Sequence, residues 1–216
     1  MPTLRPSKAW SVMQRGNARF VAGEPQHPRQ DVDRRAELAH SQSPDTVLFG
    51  CSDSRLAAEI IFDKGLGDLF VVRNAGQVIS DSVVGSLEYA VGVLNVPLIV
   101  VLGHDECGAV RAAIDTFAPD ATPLPTHIDG LIQQIVPAVK RVAKARGVDP
   151  ADADPYEVGR EHLRDTVAEL LERSEMITDA IAAGTLGIVG ANYKLLEGTA
   201  VPDILIGNLS PTTDAQ

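Results

Sequence analysis

Three short runs decide the fold: TVLFG at Thr46–Gly50, DLFVVRN at Asp68–Asn74 and PLIVVLG at Pro97–Gly103. They are aliphatic and β-branched and lack the apolar–polar alternation of a half-solvated strand. Strands with helices over both sheet faces look like this, which is the signature of a parallel sheet. Between them lie two helical segments. AAEIIFDK covers 57–64, and DSVVGSLEYAVGVLN covers 81–95 with Val83, Val84, Leu87, Val91 and Leu94 returning at helical intervals. Strand–helix–strand alternation predicts an α/β fold with right-handed crossovers.

Working outward, LGIVGANY at 186–193 reads as a fourth strand, and TAVPDILIGNL at 199–209 as an added strand at the sheet edge, expected to be antiparallel. A helix is expected to begin near Cys107. APDATPLPTHID at 118–129 reads as a Pro-rich loop, and 130–147 as a helix interrupted at Pro137. Asp154 and Pro155 form an N-cap and first-turn proline for a helix expected to run unbroken to Gly184. At the other end, Ser7–Ala22 carries Trp10, Met13, Phe20 and Val21 near helical spacing, with Gly23 as the stop. A polar arm follows, with a short helix near Arg34–Ala39. The expectation is a single domain over 1–216: a mostly parallel sheet of four strands plus the edge strand, flanked by helices. Residues 1–45 form an N-terminal helix and arm, expected to pack on a partner subunit.

Composition narrows the function. The 216 residues carry 29 acidic against 19 basic side chains, a formal charge of −10. Nucleic acids and anionic lipid surfaces want a basic face, so neither is an expected partner. No apolar run approaches the roughly 20 residues needed to span a bilayer, and the start lacks the apolar stretch of a secretory signal. The expected compartment is the cytoplasm. There the two cysteines, Cys51 and Cys107, read as buried, metal-bound or catalytic rather than disulfide-bonded.

Ligands bind outside the carboxyl ends of the strands in an open α/β sheet. The first strand runs into Cys51-Ser52-Asp53-Ser54-Arg55, and the third into His104-Asp105-Glu106-Cys107-Gly108. If those strands are neighbours, two thiols and an imidazole converge. That set suits Zn²⁺ with one position left open, the catalytic pattern. The competing reading is two core cysteines and a helix-capping histidine. Asp53 either completes the metal's tetrahedron or pairs with Arg55, whose planar fork matches a carboxylate. In the second case it can orient a metal-bound hydroxide.

CSDSR followed by GHDECGAV resembles the metal-binding signature of the β-class carbonic anhydrases, and RNAG at Arg73–Gly76 and EYAV at Glu88–Val91 fit in order and spacing. The likeness extends over most of the chain and is closest to actinobacterial members. It implies reversible hydration of CO₂ to bicarbonate and a proton by zinc-bound hydroxide, with one Zn²⁺ per chain as sole metal. Carried over, the zinc ligands are Cys51, His104 and Cys107, and Asp53 is either the fourth ligand or the catalytic partner of Arg55. Gln42 points an amide at the substrate oxygens, Phe70 forms an aromatic wall of the cleft, and Gly108 lets a backbone N–H approach the substrate. The family builds its site across a dimer interface, so Gln42 or Phe70 serves the neighbouring subunit, and the chain is expected to form a homodimer or homotetramer. The segment between RNAG and EYAV lacks a tyrosine found in some members. Three rivals stand beside this reading: a carbonyl sulfide or carbon disulfide hydrolase on the same scaffold, a non-catalytic protein whose zinc Asp53 keeps closed, and a thiol-redox protein using Cys51 and Cys107, which lack the CxxC spacing that chemistry favours. The remaining histidines, His27, His40, His127 and His162, have no expected place near the metal.

Overall fold

The computed structural model describes residues 4–209. Five strands form one sheet in the order β2-β1-β3-β4-β5, where β1 is Thr46–Cys51, β2 Leu69–Asn74, β3 Leu98–His104, β4 Gly187–Lys194 and β5 Thr199–Ile206. The first four are parallel and β5 runs antiparallel against β4, as the sequence predicts. Every residue of β1 and β3 is buried, whereas β2, with one side unpaired, is mostly half-exposed.

Nine helices are present among the described residues: α1 (Pro6–Ala22), α2 (Val32–Glu37), α3 (Ala58–Ile61), α4 (Asp81–Gly92), α5 (Gly108–Asp115), α6 (Thr126–Ile132), α7 (Val136–Arg146), α8 (Pro155–Arg173) and α9 (Glu175–Ala182). They cover both faces. One core gathers Trp10, Met13, Leu48, Val100 and Val139. The other gathers Phe49, Leu87, Ile99, Leu163 and Ile188. Alternate residues along β1 and β3 feed the two cores, so each strand is apolar throughout without being irregular.

Four boundaries differ from the sequence reading, each for a local reason. The helix expected to run to Gly184 breaks at Ser174, whose hydroxyl accepts from the Ile177 N–H as the N-cap of α9 and donates to Glu88. The Pro-rich loop ends early, because Pro125 starts α6 at Thr126. The break near Pro137 lies before it: the proline sits in the first turn of α7, where its missing N–H leaves nothing unpaired. AAEIIFDK makes only the single turn of α3, since Asp63 turns left-handed (φ 46°) and spends its carboxylate on Arg19 and on the Gln26 and His27 N–H groups.

The N-terminal helix stops at Gly23, in the left-handed conformation expected of a glycine cap. Its inner face packs on its own domain. Ala9, Trp10 and Met13 are buried, and the buried Asn17 amide donates to the carbonyls of Ile61 and Gly198 while its oxygen accepts from the Ala200 N–H.

Candidate metal centre

β1 and β3 are hydrogen-bonded neighbours with Gly50 opposite Leu102, so their carboxyl ends open at the same place. Cys51 ends β1, His104 ends β3, and Cys107 is the N-cap residue of α5. All three are buried, and one ligand atom from each lies within 4.8 Å of the other two. The turn between His104 and Cys107 is forced: Glu106 takes a left-handed conformation at φ 51°. That conformation brings a cysteine three residues after the histidine back to the same point.

The protonation pattern suits a cation. His104 Nδ1 lies 2.7 Å from the Asp105 carbonyl, which can only accept, so Nδ1 carries the hydrogen and Nε2 keeps a lone pair. That Nε2 is buried without a partner. The neighbouring Cys107 holds the Cys51 thiol below its ordinary range against the opposing effect of burial, with the Gly76 N–H adding to the effect. The Cys51 thiolate, together with burial, pushes Cys107 the other way. Burial alone would push the His104 imidazole down, and the Cys51 thiolate holds it up. An orphaned imidazole lone pair facing two sulfurs, one of them a ready thiolate, is the donor set of an open Cys₂His site, and the residues fit Zn²⁺.

Around the cluster, Asp53 faces Arg55 and is not drawn into the group of three. Arg55 Nε donates to Asp53 Oδ1 at 2.9 Å and Nη2 to Oδ2 at 2.7 Å, a bidentate pair, and Nη2 also reaches the Glu106 carbonyl at 3.2 Å. The Arg55 guanidinium holds the Asp53 carboxyl well below the usual range, against the opposing effect of burial. Arg73 of RNAG donates to the carbonyls of Cys51 and Asp53, at 2.9 and 2.6 Å, and so fixes the loop that carries both. The Gly76 N–H donates to Cys51 Sγ at 3.4 Å. Asp105 turns its side chain away, accepting from the Leu195 N–H at 2.9 Å. Gly108 opens α5, and a Cβ built there would meet nothing within 4 Å.

Two expected residues are not brought to this cluster. Phe70 pairs with Val47, four positions before the Asn74 that faces Cys51, about 13 Å back along the strand at ~3.3 Å per residue. Its ring packs toward Tyr89, with centroids 6.1 Å apart. Gln42 is exposed in the segment ahead of β1. Sequence reasoning also passed over Gly76 and His162. The positive φ at Gly76 (77°) and the burial of His162 exist only in the folded chain.

The fold and the cluster together define an α/β protein with a buried Cys–His–Cys cluster, fit to hold a metal ion, at the carboxyl edge of its sheet. A profile of the carbonic anhydrase family matches residues 46–200, which include every residue of the cluster. "Carbonic anhydrase 2" of Mycobacterium tuberculosis (strain CDC 1551 / Oshkosh) is 51% identical over 209 residues, covering 97% of this chain and 98% of that one. The "Carbonic anhydrase" of Mycolicibacterium smegmatis is 50% identical over 198 residues, with 92% and 93% covered. Among solved structures, a tetrameric β-carbonic anhydrase from the ascomycete Sordaria macrospora superposes with a TM-score of 0.66 at 25% identity, over 86% of this chain and 90% of that one. The chain belongs to the carbonic anhydrase family, in its β class.

Proposed function

We propose that this protein catalyses the reversible hydration of CO₂ to bicarbonate and a proton, with one Zn²⁺ per chain held by Cys51, His104 and Cys107. The observation that carries the reading is the unpartnered His104 Nε2 facing two buried sulfurs while the Asp53 carboxylate is held by Arg55. When bound, Zn²⁺ supplies the Lewis acidity that lets water ionise near neutral pH.

The chain supplies the rest. Asp53, kept ionised by the Arg55 fork, presents an oxygen lone pair that accepts a hydrogen bond from the attacking water and orients it. The pairing also keeps Asp53 from closing the site, which is the observation against a permanently closed, non-catalytic centre. Gly108 lets a backbone N–H approach the substrate. Gln42 steadies the developing bicarbonate with its amide and Phe70 walls the cleft. Neither lies at its own chain's cluster, so both are supplied by a partner subunit, and the outer side of α1 and the arm pack on that partner. The working form is a homodimer or homotetramer, a reading supported by the tetrameric relative from Sordaria macrospora. Residues 1–216 act as one domain. No described helix is long and apolar enough to cross a membrane. A cytoplasmic place is supported by the two free cysteines, which an oxidising compartment would endanger.

Stopped-flow CO₂ hydration across a pH series, with zinc per chain determined on the same sample, tests the proposal. About one zinc per chain and a rate that climbs with pH are expected. Full zinc without hydration at any pH, but with sulfide release from carbonyl sulfide, would replace this substrate with its sulfur analogue.

A further inference from the structure

The metal-facing sulfur of Cys51 is tied to a histidine on the far side of the sheet through one glycine. After β2 the chain makes a tight turn, Ala75–Gln77, in which Gly76 takes φ 77°, ψ 12°. The turn is crowded as well as left-handed: a Cβ at Gly76 would lie 2.9 Å from the Ala109 Cβ and 3.1 Å from Ile135 Cδ1. The N–H of Gly76 donates to Cys51 Sγ at 3.4 Å, and its carbonyl accepts from His162 Nε2 at 2.7 Å. His162 comes from α8 and is 3% exposed. One turn further along α8, the Thr166 hydroxyl lies 2.9 Å from the His162 carbonyl and 3.4 Å from that of Gln77. From the strand side, the Asn74 side chain closes the same turn by bonding both the N–H and the carbonyl of Val78.

The chemistry of the contact fixes the form of His162. A carbonyl only accepts, so Nε2 carries the hydrogen and Nδ1 is bare. Nδ1 is buried and has no partner, so the ring makes a single polar contact, and that contact is to Gly76. A buried polar side chain that leaves one nitrogen unpaired is costly, and a packing role alone would be filled better by an apolar ring. The two bonds of Gly76 belong to the two peptide units flanking its Cα. A glycine has the widest choice of φ and ψ of any residue. With Asn74 closing the turn on one side and Ala109 and Ile135 crowding the Gly76 Cα, the His162 bond to the carbonyl removes the remaining freedom of the glycine and keeps its N–H toward Cys51.

We propose that His162 is a positioning residue for the metal centre: by holding the Gly76 carbonyl it aims the Gly76 N–H at Cys51 Sγ, and this N–H···S bond tempers the electron density the thiolate gives to the metal. Partners one layer behind the ligands orient them and adjust the metal in this way. A zinc site with two thiolates is electron-rich, so a bond that draws density from one sulfur favours the acidity the reaction needs.

The inference rests on Cys51 being a metal ligand, and the experiment separates the two. The cobalt-substituted protein reports the sulfur directly through its thiolate-to-metal charge-transfer band, and competition with a chelator reports zinc affinity. His162→Phe keeps a ring and loses the donor, whereas His162→Gln keeps a donor. The expected result in His162→Phe is a band shifted to longer wavelength, because the sulfur gives more density, and zinc held about 10- to 100-fold more weakly, because Cys51 loses the contact that orients it, with both returned close to wild type in His162→Gln. A folded His162→Phe protein with wild-type band and affinity, or a glutamine variant as perturbed as the phenylalanine one, overturns the proposal. Should His162→Phe fail to fold, cadmium-loaded wild-type protein decides. A scalar coupling between the Gly76 amide proton and cadmium, retained in His162→Gln, supports the link, and its absence in wild type refutes it. Wild-type protein that takes up neither cobalt nor zinc would remove the metal-centre reading itself, a distinct failure.

Discussion

Both carboxylate oxygens of Asp53 accept from Arg55, and Oδ1 takes the Arg55 backbone N–H as well, at 2.9 Å. Three donors to one carboxylate fix its rotation, so it cannot swing to the sulfurs without breaking a bidentate pair. A fixed, ionised acceptor is also what orienting a water requires. Asp53→Asn keeps the shape and puts an N–H₂ donor where an acceptor stood, directly against the Arg55 fork. The expected outcome is a loss of about 10²-fold or more in kcat for CO₂ hydration, within the range of positioned acid–base groups, with zinc content unchanged. Stopped-flow rates beside metal analysis check it, and full activity in this variant would remove Asp53 from the reaction. The residues of the cluster were legible because their chemistry is rare: the chain has two cysteines, one ending β1 and the other three residues beyond the end of β3. Which of its two partners Asp53 takes was not legible, since CSDSR allows either, and only the folded loop puts the fork across the carboxylate.

Elements were legible where one force dominates. The strands β1, β3 and β4 are apolar because both sheet faces are covered, and their runs stand out in any reading. Helix ends that turn on one hydrogen bond were not: Ser174 breaks α8 from α9 because Glu88, distant in sequence, receives its hydroxyl. The arm shows the same dependence on remote partners. Asp63, whose side chain is 1% exposed, takes Arg19 Nε at 2.6 Å and the N–H groups of Gln26 and His27, and Asp68 takes Arg29. The chain after α1 is thus pinned to the turn after α3 by carboxylates. Burial opposes ionisation of Asp63, but the Gln26 N–H, Arg19 and the His27 N–H outweigh it and leave the group depressed. A carboxyl depressed on folding stabilises fully above its unfolded pKa of about 4 and loses that contribution as pH falls through the lower folded value. Asp63→Asn is therefore expected to cost about 1–3 kcal/mol at neutral pH. The gap to wild type should narrow below about pH 4. Urea unfolding at pH 7 and pH 3 measures both, and an equal gap at the two values would mean that Asp63 acts through shape rather than charge.

For the molecule as a whole, the proposed roles of Gln42 and Phe70 call for a second chain. The cluster lies at the carboxyl end of β1 and β3, while Phe70 sits about 13 Å down β2 and Gln42 is exposed ahead of β1. If Phe70 and Gln42 serve the substrate as proposed, they do so at another chain's cluster, and an isologous dimer supplies both sites by the same operation. A hybrid experiment turns that geometry into a number. Cys107→Ser removes a ligand from one chain and leaves its Gln42 intact. Gln42→Ala leaves the cluster of the other chain intact and removes the amide. If Gln42 crosses the interface, a hybrid of the two holds one complete site, made from the cluster of the alanine chain and the glutamine of the serine chain, and one doubly defective site. With random pairing about half the dimers are hybrids. Co-expressed chains should then recover about a quarter of the wild-type kcat per chain, while each variant alone stays near its own low value. If Gln42 served its own cluster, every site in the mixture would carry one defect or the other, and mixing would restore nothing. Recovery therefore reports the crossing itself, independently of how much each substitution costs, and sedimentation of the co-expressed protein confirms that the chains are paired.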